Sequence, residues 1–131
     1  MPTNKQNNTT AKKGRTGEDM AALYLEENGI KILERNFRSR TGEVDIIALD
    51  ETTVVFAEVK TWSIYGIDAL EYALDAKKRR KIIETSKYFL SLHREYRYMA
   101  IRYDVIFISA DPKSPSENRI THLASAFTEC V

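Results

Sequence analysis

Asp45, Glu58 and Lys60 stand on neighbouring extended segments at spacings that would bring two carboxylates and an amine to one spot. Side chains alternate along a strand, so Glu43, Asp45, Ile47 and Leu49 share one face of the first segment. Val54, Phe56, Glu58 and Lys60 share one face of the second. A hairpin centred on Glu51-Thr52, with a two- or four-residue loop, sets Leu49 opposite Val54, Ile47 opposite Phe56, Asp45 opposite Glu58 and Glu43 opposite Lys60. Large apolar side chains then meet at one end, and acids and an amine at the other. Opposed residues have Cβ atoms roughly 4.5–5.5 Å apart, and like charges so placed are destabilising unless something neutralises them. A raised carboxyl pKa, a neighbouring ammonium or a bound cation would each do so. Mg2+ or Mn2+ suits such a place, because two carboxylates plus water form an ordinary ligand set for a small hard cation. A metal there would hold a scissile phosphate and generate a nucleophile, with Lys60 orienting or activating the water. The plainer reading is a salt-bridged cluster at a sheet end.

The elements that must position these residues follow from pattern. Thr16 precedes Asp19 at the capping-box spacing, and Asn28-Gly29 is a helix stop, so a helix is expected between them. Its apolar face carries Ala21, Ala22 and Leu25, and Glu18 projects with Ala22 and Leu25. Two readings of Glu18 stand side by side: a carboxylate aimed inward toward a partner or metal, or a first-turn acid complementing the helix dipole. An extended segment from Ile30 to about Arg38 leads through a turn at Arg40-Thr41-Gly42 to strands at Val44–Leu49 and Thr53–Thr61. Both faces of those strands are mostly apolar, which requires cover on both sides. A helical pattern then runs from about Asp68 to His93, a strand from Tyr98 to Ile108, and a short edge strand is open at Ile120–Leu123. The reading is an α/β sandwich in the order α-β-β-β-α-β.

Composition sets the limits. The 131 residues, with 43% hydrophobic and 30% charged side chains, make one soluble-type domain over residues 16–127. Residues 1–15, rich in Asn, Thr and Lys, read as a disordered basic arm. No apolar run approaches the roughly 18 residues a membrane span needs, and the single Cys130 fits a reducing cytoplasm. The net charge of +1 does not by itself point to nucleic acid, but the cations are clustered: Lys5, Lys12, Lys13 and Arg15 before the first acid, and Lys77-Lys78-Arg79-Arg80-Lys81 on the long helix. Phosphates would reward both clusters through counterion release. Lys78, Arg79 and Arg15 are the candidate contacts. His93 and His122 are far apart in sequence with nothing to join them, Trp62 and Tyr65 read as rim packing before base stacking, and Asp104 reads as an internal ion pair with Arg102.

An ordered series of motifs adds a resemblance. Gly14-Arg15-x-Gly17-Glu18, Arg35-Asn36-Phe37-Arg38, Gly42-Glu43-Val44-Asp45-Ile46-Ile47-Ala48 and Phe56-Ala57-Glu58-Val59-Lys60-Thr61 resemble the YraN-type family of bacterial proteins. Lys78, Tyr103-Asp104-Val105 and Ile120-Thr121-His122 also fit it. That family resembles archaeal Holliday junction resolvases and the wider PD-(D/E)xK nucleases. The resemblance implies a restriction-endonuclease-like sandwich, a mixed sheet flanked by helices. It also implies a Mg2+- or Mn2+-dependent endonuclease-like action on DNA, branched or damaged DNA included, by a homodimer. Asp45, Glu58 and Lys60 match the signature, and Glu18 matches the acid of the first helix. The signature's proline is absent, since Glu43-Val44 precedes Asp45, and Glu43 reads as a salt-bridge partner of Lys60 ahead of a further ligand. A domain that binds nucleic acid without cutting is the alternative.

Overall fold

The computed structural model describes residues 9–62, 74–109 and 119–129, with side chains from Gly17 onward except Trp62. Its elements are α1 (Thr9–Glu27), β1 (Lys31–Arg38), β2 (Glu43–Asp50), β3 (Thr53–Trp62), α2 (Ala76–Leu92), a 3-10 turn (Arg94–Tyr96), β4 (Ala100–Ser109) and β5 (Arg119–Phe127). The strands form one mixed sheet in the order β1-β2-β3-β4-β5. Neighbours are antiparallel except β3 and β4, which run parallel across the connection that contains α2.

Helices α1 and α2 cover opposite faces of this sheet. On one face Ala21, Ala22 and Leu25 of α1 pack on Ile46, Ala48, Val55, Ala57, Ile106 and Ile108. Four alanines at this contact let helix and sheet approach closely. On the other face Ile82, Ile83 and Phe89 of α2 pack on Ile47, Val54, Phe56, Tyr103 and Val105. Alternate residues of β2, β3 and β4 therefore enter different cores, which is why these strands read as apolar on both faces.

Local chemistry sets the boundaries. After α1, Ile30 N–H bonds Leu25 O at 2.9 Å and Gly29 N–H bonds Glu26 O at 3.0 Å, with Gly29 at φ 80. This closure satisfies the last carbonyls and needs a residue without Cβ. The start of α1 lies at Thr9, ahead of the expected Thr16, so the arm expected to be disordered overlaps the helix from Thr9 on. Ala11, Lys12, Lys13 and Arg15 are good helix formers, and Gly14 among them weakens the helix without ending it. Residues 1–8 lie outside those described. Of the helix expected from about Asp68 to His93, residues 68–73 lie outside those described, and the described helix runs Ala76–Leu92. Asp75 is extended (φ −72, ψ 173) and its side chain accepts the Lys78 N–H at 2.9 Å, capping a helix that begins at Ala76.

The last strand is a longer element than the short edge at Ile120–Leu123. It runs nine residues, and its register slips between Tyr103 and Val105 of its neighbour. There Ser125, at φ 54, gives its N–H to Asp104 at 3.0 Å, so a buried side chain carries the strand past a break. Ala124-Ser125-Ala126 has little strand propensity, which hid the extension. Cys130 and Tyr65 lie outside the described residues, as does the Trp62 side chain. No helix among the described residues is long and apolar enough to cross a membrane.

Gly17 fixes how closely α1 meets the end of β3. A Cβ built there would collide with Thr61 Oγ1. Gly17→Ala is expected to lose the stabilisation that alanine normally brings to a helix, and Gly17→Ala/Thr61→Ala to recover it. A double-mutant cycle in urea should give a coupling of about 1 kcal/mol, and additive effects would show that the approach is not tight.

Candidate functional site

The β2–β3 ladder follows the register that the apolar pairs demand. Leu49 pairs with Val54 and Ile47 with Phe56, and Asp50 and Thr53 close a two-residue turn. The ladder ends at Ile46 and Ala57. One step further, Asp45 Oδ2 accepts the Val59 N–H at 2.8 Å, so a carboxylate takes the next backbone donor. Asp45 and Glu58 are only 8% and 6% exposed. Burial, and then the Glu58 charge, push the Asp45 carboxyl up to about 7, against the lowering effect of the Val59 bond; the Glu18 charge and a hydrogen bond to Glu58 add to the rise.

Two lysines attend Glu58. Its Oε2 lies 3.0 Å from Lys78 Nζ and 3.5 Å from Lys60 Nζ. Burial, and then the hydrogen bond from Lys78, lower the Lys60 pKa. Burial also acts to lower that of Lys78, but its bonds to Lys60 and Glu58 outweigh this and raise it. Of the two, Lys60 is therefore the lysine that gives up its proton more readily.

Glu18 reaches the same end of the sheet from the α1 side. Its Oε1 lies 3.7 Å from Arg35 Nη2, which bonds Asp19 Oδ1 more closely, at 2.7 Å. Glu18 therefore acts on Asp45 through charge while Arg35 holds it. Among the described residues no three acids, histidines or cysteines converge as a ready metal-binding group. The side chain of Arg15 lies outside the described residues.

Contacts across layers reassign several residues. Glu43 pairs with Arg38 at 3.2 Å and not with Lys60, because the Arg40-Thr41-Gly42 turn sets these two residues opposite each other on β1 and β2. Lys78 is inside the acid cluster, and Arg79 gives its guanidinium to Leu74 O at 3.1 Å. Lys77 and Lys81, which the sequence reading did not single out, line a cavity of about 450 Å3 together with Asp45, Glu58, Lys78 and Asp75. Their signal was their four-residue spacing, which puts them on one helix face. Gly42 permits the approach: a Cβ there would stand 3.3 Å from that of Lys81.

A second buried acid, Asp104, lies on the α1 face of the sheet. It accepts Arg102 Nε and Nη2 at 3.0 and 3.1 Å, His122 Nε2 at 2.6 Å and the Ser125 N–H. Burial works to raise its pKa, but His122, Arg102 and Ser125 together pull it below the usual carboxylate range. The ion pair with Arg102 is as expected. His122 has partners that sequence distance concealed: Tyr24 OH lies 3.0 Å from its Nδ1. An ionised carboxylate only accepts, so His122 Nε2 carries the proton and, in the neutral ring, Nδ1 accepts from Tyr24.

This geometry sits within the region that a family model matches. Residues 17–108 match the model described as "Uncharacterised protein family UPF0102". The chain belongs to that family. A UPF0102 protein of Persephonella marina is 44% identical over 115 residues, covering 88% of this chain and 92% of the relative. Those of Treponema pallidum (strain Nichols) and Treponema denticola are 42% and 41% identical, covering 90% and 89% of this chain and 94% and 95% of the relatives. The matched region begins at Gly17 and contains Glu18, Asp45, Glu58, Lys60 and Lys78.

The chemistry of this UPF0102 site fits a small hard cation. Two buried carboxyls close enough to share a hydrogen bond line an open cavity, and a divalent ion would take the place of their shared proton. The pH dependence of stability follows. A carboxyl whose folded pKa is raised holds its proton more tightly in the fold, so Asp45 destabilises increasingly as pH rises from 3.8 toward about 7. Asp45→Asn can keep the Val59 bond and removes the charge. In metal-free buffer its gain in melting temperature over wild type should be larger at about pH 8 than at about pH 5. A gain independent of pH would contradict the buried-pair reading.

Proposed function

We propose that this protein is a metal-dependent endonuclease-type hydrolase that acts on DNA. The observation that carries the reading is a buried, adjacent pair of carboxyls, Asp45 and Glu58, with Lys60, its pKa lowered, beside them and a cavity in front that Lys77, Lys78 and Lys81 also line. Asp45 and Glu58 would hold Mg2+ or Mn2+, and Glu18 would assist through water. When bound, the ion supplies charge stabilisation for the phosphate and lowers the pKa of water. Lys60 takes a proton from the attacking water as its oxygen bonds phosphorus. The P–O bond to the leaving strand breaks, and water is added across it. Lys78 aligns Glu58 through their ion pair, while Lys77 and Lys81 face the cavity where phosphates would enter. The resemblance of the motif series to resolvase-type nucleases supports the same reading and points to branched or damaged DNA.

One observation favours the alternative, a module that binds without cutting. Lys60 and Lys78 already neutralise Glu58, so the cluster is compensated without an ion. The two readings separate in a cleavage assay with plasmid, single-stranded, flapped and four-way DNA and Mg2+ or Mn2+. On the proposed reading Glu58→Ala loses activity by at least about a hundredfold, and Lys60→Met by about 10²–10⁴-fold. Equal cleavage by wild type and Glu58→Ala would reject the assignment. Absence of cleavage by wild type on every substrate, with salt-sensitive binding retained in Asp45→Asn, would establish the binding module instead.

A further inference from the structure

Beside the acid cluster lies a groove that neither the metal chemistry nor the core requires. It has a volume of about 580 Å3 and runs between the β1–β2 turn and α2; Arg40, Thr41, Lys87, Tyr88 and Ser91 are among the residues lining it. A further hollow of about 480 Å3 continues from its shared residues Lys87 and Ser91 to Arg94 and Arg97. At its other end, Thr41 adjoins Gly42, which lines the cavity of Asp45 and Glu58. Hydroxyls fasten the join: Ser39 Oγ and Thr41 Oγ1 lie 3.0 and 3.2 Å from Thr85 Oγ1. From Lys81 to Ser91 the α2 wall extends about 15 Å.

We infer that this groove receives an unpaired polynucleotide strand leading from the acid cluster, with a base stacked on Tyr88. The inference rests on the proposed nucleic-acid reading and names the substrate feature that the site selects. Tyr88 is 47% exposed, and its ring rests against Phe37 at 6.0 Å between centroids. It is thus a platform braced on the protein side and open on the other. Lys81, Arg40 and Arg94 have no ion-pair partner among the described residues. Lys87 is held 2.8 Å from Glu129, a partner that a phosphate would replace, and Glu84 lies 3.7 Å from the same amine. Cations along a groove with an aromatic face between them match the phosphates and bases of a single strand. A duplex keeps its base faces stacked and offers Tyr88 nothing of the kind.

Binding measured without metal separates this inference from the cleavage chemistry. Fluorescence anisotropy on the full chain in EDTA would compare labelled single-stranded DNA, single-stranded RNA and duplex DNA of one sequence across a salt series. Single strands should bind more tightly than duplex, and the DNA and RNA arms identify which strand is taken. Tyr88→Leu, which keeps bulk over Phe37, should weaken single-strand binding at least about fivefold and duplex binding less than about twofold, while Tyr88→Phe binds like wild type. Arg40→Ala should reduce the slope of log affinity against log salt by about 0.7. Equal binding of single strand and duplex, or a Tyr88→Leu variant that binds single strands like wild type, would overturn the inference. If Tyr88 discriminates while no variant or wild type cleaves, the groove stands and the hydrolase reading fails; Glu58-dependent cleavage without an effect at Tyr88 removes the groove alone.

Discussion

The β2–β3 hairpin places two carboxyls side by side at the point where its ladder ends, and the surrounding structure is arranged around that cost. Ionised together in a buried position, Asp45 and Glu58 would repel; the molecule answers with a raised pKa at Asp45 and two lysines at Glu58. The Val59 N–H, left without the next ladder partner, takes Asp45 Oδ2 and holds that side chain at the cavity. The register cannot slip to relieve the pair. A one-residue shift would turn Ile47, Leu49, Val54 and Phe56 out of the α2-side core, so the apolar half of the hairpin enforces the acidic half.

The helices then decide what the acids can do. Helix α2 brings Lys78 to Glu58 because Asp75 caps it at Ala76, and Gly42 lets the β1–β2 turn approach Lys81. Helix α1 works from the other face, where Gly17 against Thr61 puts Glu18 at the same sheet end while Arg35 restrains it. Charges from both layers thus meet where the apolar pairing of β2 and β3 ends.

Alternation and apolar pairing made the hairpin and its carboxylates legible in the sequence. Leu49 with Val54 and Ile47 with Phe56 are local facts of two short segments, and they carry Asp45 and Glu58 with them. Contacts between layers were not legible in this way. Glu43 was assigned to Lys60 from the β2–β3 register alone, whereas its partner Arg38 comes from the β1–β2 register, which the intervening turn determines. Lys78 reads from the sequence as a phosphate contact on the long helix, because its reach to Glu58 depends on how α2 lies across the sheet. His122 and Asp104 meet because β5 pairs with β4 and sets His122 opposite Ile106, a register that neither segment shows by itself; Ser125 joins them through an extension of β5 that had no propensity signal.

Two buried acids of one sheet show how a structural carboxylate differs from a poised one. Asp104 is supplied with two guanidinium bonds, an imidazole and a backbone amide, and its pKa is pulled down in spite of burial. It is a finished interaction that ties β4 to β5 and, through His122 and Tyr24, to α1. Asp45 has a single backbone donor and an acid for a neighbour, so burial wins and its pKa rises to about 7. Both are nearly inaccessible to solvent, so burial alone does not separate them. The balance of donors does: a carboxylate whose needs are met within the fold has nothing to offer a ligand, whereas one held near a second carboxyl, beside an open cavity and short of donors, is stabilised by whatever cation enters.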